Sequence, residues 1–515
     1  MSLRIDLWVT LGAWPTDDHA AWSTADVDLY LDAVKADVVV ARSSTSVLYN
    51  APEGNAAIVA LAAEHPRVLP SFVLTPEHWG ATAELSDLGG DLAAAGARAF
   101  WLSPGRHGWS LTGRESDGLP ALLSATGLPV LIELDDTDWN SIDQLCSRAP
   151  DVDVIVTGLG YRTIRQAFAV MDAHPRVHVD LSYLACSDGI ERFVRRYGAD
   201  RVVMATGAPA KDHRAPWFVL EHSDLSDDER RLVGGDTAAR LLGLDDVNST
   251  VPSAPTHLAP AIDFHAHIGA WPSSWMPAIT HEAVLHSAAR VGIVHSVISH
   301  LEGIWVDARH GNERAIAAAR QHPEALSVHL VANPHFTDHA EVLRDQLADP
   351  VVRGIKVHPD THLCPIDDER YGWIWQLAVE TNTPVLSHGF GGSPWSDPSR
   401  FGAVAERFPD LRLVIGHSGA NTDGFRATID VAQRHPNLMA EICGSWLTGR
   451  WLSTLVRELG AERVLFGTDS CLIDPRYSRG RVESADLSQH DQYLVLVGNA
   501  ARLLALSPTP PTPTT

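Results

Sequence analysis

IDLWVT at residues 5–10, followed by GAWP at 12–15, returns as IDFHAH at 262–267, followed by GAWP at 269–272. Further pairs keep the same order along the chain. RAFWLSP from Arg98 matches RGIKVHP from Arg353, and LPVLIEL from Leu128 matches TPVLSHG from Thr383. VDVIVTGLG from Val152 matches LRLVIGHSG from Leu411, and HPRVHVDLS from His174 matches HPNLMAEIC from His435. RVVMATG from Arg201 matches RVLFGTD from Arg463, and AARLL recurs at 238 and 500, with the spacing held between 255 and 262 residues. So many anchors in one order mean a duplicated domain. Residues 1–248 form the first copy and 261–506 the second. The Pro/Ser/Thr-rich stretch 249–260 has linker composition, and 507–515, SPTPPTPTT, that of a disordered tail.

Each copy carries eight short β-like runs separated by helix-like Ala/Leu/Arg segments, in about 250 residues. That alternation predicts an α/β protein of two tandem (β/α)8 TIM barrels. Such barrels present their functional residues at the C-terminal ends of the strands. In the second copy His265/His267, His358, His388, His417 and Asp469 fall at those ends. His265 and His267 are two apart on one strand, so both face the barrel interior, where they can share a divalent cation. Imidazole and carboxylate donors suit Zn²⁺ first, with Mn²⁺, Fe²⁺ or Co²⁺ as alternatives.

Composition agrees with that placement. Of 26 histidines, 17 lie beyond residue 260. Lysine occurs only at Lys35, Lys211 and Lys356, so the retained Lys356 points to chemistry that arginine cannot perform. Lys356 and His358 are two apart and share a face. A net charge of −24 argues against nucleic-acid binding. No apolar run is long enough for a membrane span, and MSLRIDLWVT lacks signal-peptide features. Five scattered cysteines without CxxC spacing fit a reducing cytoplasm. Trp271, Trp275, Trp305, Trp395 and Trp446 follow strands and could line an apolar pocket, while Arg309, Arg370 and Arg400 could clamp a carboxylate.

DFHAH (263–267), GIKVHP (354–359), PVLSHG (384–389), IGHSG (415–419) and LFGTDS (465–470) together resemble the amidohydrolase superfamily. The nearest resemblance is to the amidohydrolase-related branch that includes aminocarboxymuconate-semialdehyde decarboxylase, resorcylate-type decarboxylases and lactone hydrolases. It implies His265, His267, His388 and Asp469 as metal ligands, with His417 beside the reacting water or substrate. In relatives with two metals the strand-four lysine is carboxylated and bridges them. Lys356 and His417 would then join the ligand set.

The first copy lacks these residues. Trp8 and Thr10 stand for the paired histidines, Trp101 and Ser103 for Lys356 and His358, Glu133 for His388, Gly158 for His417 and Gly207 for Asp469. The expectation is a non-catalytic first barrel paired with a catalytic second one as an intramolecular pseudo-dimer. Further oligomerisation stays open. The expected activity is metal-dependent hydrolysis of an amide, lactam or lactone in a small molecule. Asp469 and His417 would move the proton, and Lys356 and His358 would orient or polarise. Non-oxidative decarboxylation of an unsaturated or aromatic acid is the alternative, and a non-catalytic binding protein the third possibility.

Overall fold

A computed structural model describes residues 3–15, 21–79, 92, 94–244 and 258–506. The expected tail and all of the expected linker before Leu258 lie outside the described residues. The chain divides into two compact units, Met1–Ala254 and Pro255–Thr515.

In the first unit eight strands pair in sequence order: β1 (Ile5–Leu11), β2 (Val38–Ser43), β3 (Val68–Leu74), β4 (Ala99–Leu102), β5 (Val130–Glu133), β6 (Val154–Thr157), β7 (Val177–Asp180) and β8 (Val202–Val203). The second unit repeats this: β9 (Ala261–Ile268), β10 (Ile293–His300), β11 (Leu326–Val331), β12 (Val352–Val357), β13 (Val385–Ser387), β14 (Leu413–Ile415), β15 (Leu438–Glu441) and β16 (Val464–Leu465). All neighbours are parallel, with helices between, so each unit is a (β/α)8 barrel. The strands are Val/Ile/Leu-rich and buried along nearly their whole length, as a sheet covered by helices on its outer face requires.

Each barrel closes in the same way. In the first, Leu7 N–H donates to the Met204 carbonyl (3.0 Å) and Thr10 N–H to that of Ala208 (2.9 Å). In the second, Phe264 N–H donates to the Phe466 carbonyl (3.0 Å), and His267 N–H to that of Ser470. A buried aspartate locks each seam. Asp6 accepts from the N–H groups of Trp8 and Thr206 (both 3.0 Å) and from Thr206 Oγ1 (2.6 Å). Asp263 accepts from the N–H of His265 (3.1 Å), the N–H of Thr468 (3.0 Å) and Thr468 Oγ1 (2.5 Å). Even irregularities recur: a π-helical turn spans Leu232–Asp236 and again Leu494–Gly498. Among the described residues, no helix is long and apolar enough to cross a membrane.

Candidate metal centre

Asp263 fixes the backbone of His265, and the two-residue repeat of β9 then points His265 and His267 to the same side. Their Nε2 atoms are 3.2 Å apart. Asp469 lies just past β16 in the left-handed region (φ 61°), a conformation that costs a side-chain-bearing residue about 1–2 kcal/mol. That backbone turn delivers its Oδ1 to 3.2 Å from His267 Nε2 and 3.8 Å from His265 Nε2. Three donor atoms thus converge on one point.

The other expected residues surround this cluster. Lys356 Nζ donates to His265 Nε2 at 2.7 Å. His417 opens a short turn after β14 with Ser418 also left-handed (φ 58° and 46°). Its Nε2 meets His388 Nδ1 at 3.0 Å. His388 stacks on His358 (4.2 Å between centroids, 9° between planes), and His358 Nδ1 accepts from the Thr361 N–H at 3.2 Å. Lys356 therefore touches the three-donor cluster, whereas His388, His417 and His358 form a ring of imidazoles beside it.

Two further residues belong to the centre. Glu441, ending β15, lies 2.9 Å from His265 Nδ1 and accepts from the His417 N–H at 3.1 Å. Cys443 Sγ sits 3.1 Å from His265 Nδ1 and 3.0 Å from His417 Nδ1. No CxxC spacing marks Cys443 in the sequence, yet it packs directly on two of the histidines. Its neighbourhood was visible only in the alignment of HPRVHVDLS with HPNLMAEIC, which pairs Asp180 with Glu441. Ser299 Oγ completes the surroundings, 2.8 Å from His267 Nδ1.

Burial sets the protonation states. It pushes His265, His417 and His358 well below the ordinary imidazole range and His388 down to about 4. Burial works to raise Asp469, but the His267 hydrogen bond and the positive charge of Lys356 outweigh it and hold the carboxyl low. Desolvation brings Lys356 down to about 8 and Glu441 up to about 7. Neutral imidazoles beside an ionised carboxylate are groups whose nitrogen lone pairs a divalent cation can take in exchange for these hydrogen bonds. The donor set fits such an ion.

Around the histidines stand aromatic side chains. Trp271 packs edge-on against Trp305 (4.8 Å) and lies 5.7 Å from His358, while Phe390 lies 6.4 Å from His388 and 6.2 Å from Trp446. The loop arginines are engaged elsewhere: Arg309 with Asp338, Arg370 with Asp368 and Arg400 with Asp367.

At the corresponding place in the first barrel, an ammonium group fills the space. Lys211 Nζ lies 4.7 Å from the Trp8 ring centroid and 4.0 Å from Glu133 Oε1. A Cβ on Gly158 would come within 3.0 Å of that nitrogen, and one on Gly207 within 3.0 Å of Lys211 Cδ and 3.2 Å of the Trp8 ring. Arg42 adds a second cation, stacked 4.0 Å from the Trp101 centroid with Nη2 at 3.4 Å from Glu133 Oε2. Among the described residues, both clusters of metal-capable side chains fall in the second barrel.

The sequence profile of the amidohydrolase family matches residues 8–244 and again 262–506. The chain belongs to the amidohydrolase family. Both copies are thus members, including the one without the histidines. No curated protein matches the sequence significantly. Among solved structures, the chain is similar to 5-carboxyvanillate decarboxylase from Sphingomonas paucimobilis (14% identity, 48% of this chain and 99% of that one, TM-score 0.40). It is similar to 2,6-dihydroxybenzoate decarboxylase from Rhizobium to the same degree (14%, 48% and 99%, 0.40). An uncharacterised TIM-barrel protein from Bordetella bronchiseptica shares 21% identity over 48% of this chain and 99% of its own length, with a TM-score of 0.40.

Proposed function

We propose that the second barrel is a metal-dependent hydrolase that cleaves an amide, lactam or lactone bond in a small molecule, and that the first barrel is not catalytic. The observation that carries this reading is the ionised Asp469 carboxylate set against the Nε2 atoms of His265 and His267. We assign His265, His267 and Asp469 as ligands. His388, whose electrostatic neighbours include His267 and Asp469, is the fourth. Zn²⁺ is the ion this borderline nitrogen and oxygen set suits best, ahead of Mn²⁺, Fe²⁺ or Co²⁺. Such a cation, when bound, lowers the pKa of water toward about 7 and polarises a carbonyl.

The chain's own groups do the rest. Asp469 is placed to accept the proton of the attacking water and pass it to the leaving group. His417, kept neutral by burial, can share that transfer. Lys356 and His358, on one face of β12 and at its end, orient the carbonyl.

Decarboxylation of an unsaturated or aromatic acid is the second reading. What supports it is the wall of Trp271, Trp305, Phe390 and Trp446, on which a flat ring could stack. It calls for a clamp on the departing carboxylate, and the three loop arginines are already paired with aspartates. Turnover in ¹⁸O-labelled water separates the two. Label in a newly formed carboxylate is the expected result, and CO₂ release without such label would replace hydrolysis by decarboxylation.

A further inference from the structure

His265 uses both ring nitrogens. Its Nε2 faces Lys356, His267 and Asp469, and its Nδ1 faces Glu441. An ammonium group can only donate, so Nε2 accepts from Lys356 and the ring proton resides on Nδ1, where it donates to Glu441 Oε2. The same fully buried carboxylate accepts from the His417 and Cys443 N–H groups and from the Cys443 thiol (3.0 Å). One side chain thereby ties together the strand bearing His265 and the turn bearing His417.

The first barrel shows how much of this is merely structural. Asp180 stands where Glu441 does, and its Oδ1 accepts from the Gly158 N–H at 3.0 Å, the counterpart of the His417 N–H. A carboxylate here holds the turn after strand six whether or not a histidine needs orienting. At two positions beside this carboxylate the barrels differ by one methylene and one methyl group. Where the second has Glu441 with Gly467, the first has the shorter Asp180 with Ala205. A Cβ on Gly467 would run into Glu441 Oε1 and approach His265 Cβ to 2.9 Å. The longer acid therefore reaches His265 only because position 467 carries no side chain.

We propose that Glu441, with the space left by Gly467, is the positioning residue of the metal centre: it fixes His265 as the Nδ1–H tautomer and so presents the Nε2 lone pair to the cation. This rests on the metal-centre reading above. Ligand histidines anchored in this way typically lose about 10–100-fold in metal affinity when the anchor is removed.

The test compares full-length wild type, Glu441→Gln, Glu441→Asp/Gly467→Ala and Asp180→Asn. The double variant installs the pair that the first barrel already folds with, so it keeps the test alive if Glu441→Gln fails to fold. Zn²⁺ affinity by chelator competition and the His265 tautomer by ¹⁵N-imidazole NMR of metal-free protein are the readouts. Both Glu441 variants should bind Zn²⁺ about 10–100-fold more weakly and lose the pure Nδ1–H state, while Asp180→Asn changes neither. Unchanged affinity and tautomer in the Glu441 variants would overturn the assignment. So would a thiolate-to-cobalt charge-transfer band in the Co²⁺ protein that Cys443→Ser abolishes, because Glu441 and Cys443 would then be ligands. Wild type that takes up no metal at all would sink the metal reading, and the tautomer would still decide the role of Glu441.

Discussion

Asp6 and Asp263 close their barrels with three matching hydrogen bonds, to which Tyr30 adds a fourth on Asp6. Of the residues two positions further on, only His265 offers a metal-binding lone pair, and Trp8 does not. The pattern continues around each mouth. Gly207 (φ 74°) and Asp469 (φ 61°) occupy the same left-handed bend, free of strain in one barrel and strained in the other. Where the second barrel gathers lone pairs and a carboxylate, the first holds the Lys211 ammonium over Trp8. Scaffold and centre are therefore separable. The buried carboxylates that hold backbone turns persist in both copies, and only the groups aimed at the central point have changed.

That separation can be broken most forcefully at Asp469. Asp469→Asn should reduce turnover by about 10³-fold or more, measured as kcat once a substrate is found. The reciprocal Gly207→Asp should confer no activity and should destabilise the first barrel, since its Cβ would meet Lys211 and Trp8. A functional first barrel in that variant would refute the idea that Lys211 occupies the space.

Next in size are the two seam aspartates. Asp6→Ala and Asp263→Ala each strand several buried donors, at about 3 kcal/mol or more. Calorimetry should register both losses. Metal affinity should fall only in Asp263→Ala, because only Asp263 also holds the His265 backbone.

The smallest expected effect concerns pH. Burial raises the Asp180 carboxyl to about 7, whereas an aspartate in the unfolded chain titrates near about 3.9. The folded state therefore holds this proton more tightly, and the associated stability is present at low pH and is lost as pH rises through about 4 to 7. Asp180→Asn carries no such loss. Its Tm relative to wild type should move upward between about pH 5 and pH 8. A difference that stays constant with pH would show that Asp180 is ionised throughout.

Much of this was legible in the sequence because a duplicated domain repeats its turn and strand signals twice, and because HxH on a strand has an unambiguous facing. Asp469 was legible through the TD that closes RVLFGTD. The supporting shell was not. Glu441 and Cys443 lie 176 and 178 residues from His265, without the local spacing that marks HxH. Only the barrel's closure brings β15 beside β9's histidine. Lys211 stood out as one of three lysines, but nothing in ATGAPAK shows that its ammonium returns over Trp8. The contact of His388, the fourth ligand proposed, with His417 at 3.0 Å is likewise one that no spacing rule encodes.

On the reading proposed, one barrel would hold a metal where its twin holds the Lys211 ammonium. Elemental analysis of the purified full-length chain tests it directly, with His265→Ala/His267→Ala in one sample and Trp8→Ala/Thr10→Ala, at the matching positions, in another. Wild type and the first-barrel variant should each retain a divalent ion, and the second-barrel variant should retain none. Metal that survives loss of both histidines, or that disappears with Trp8 and Thr10, would contradict the account.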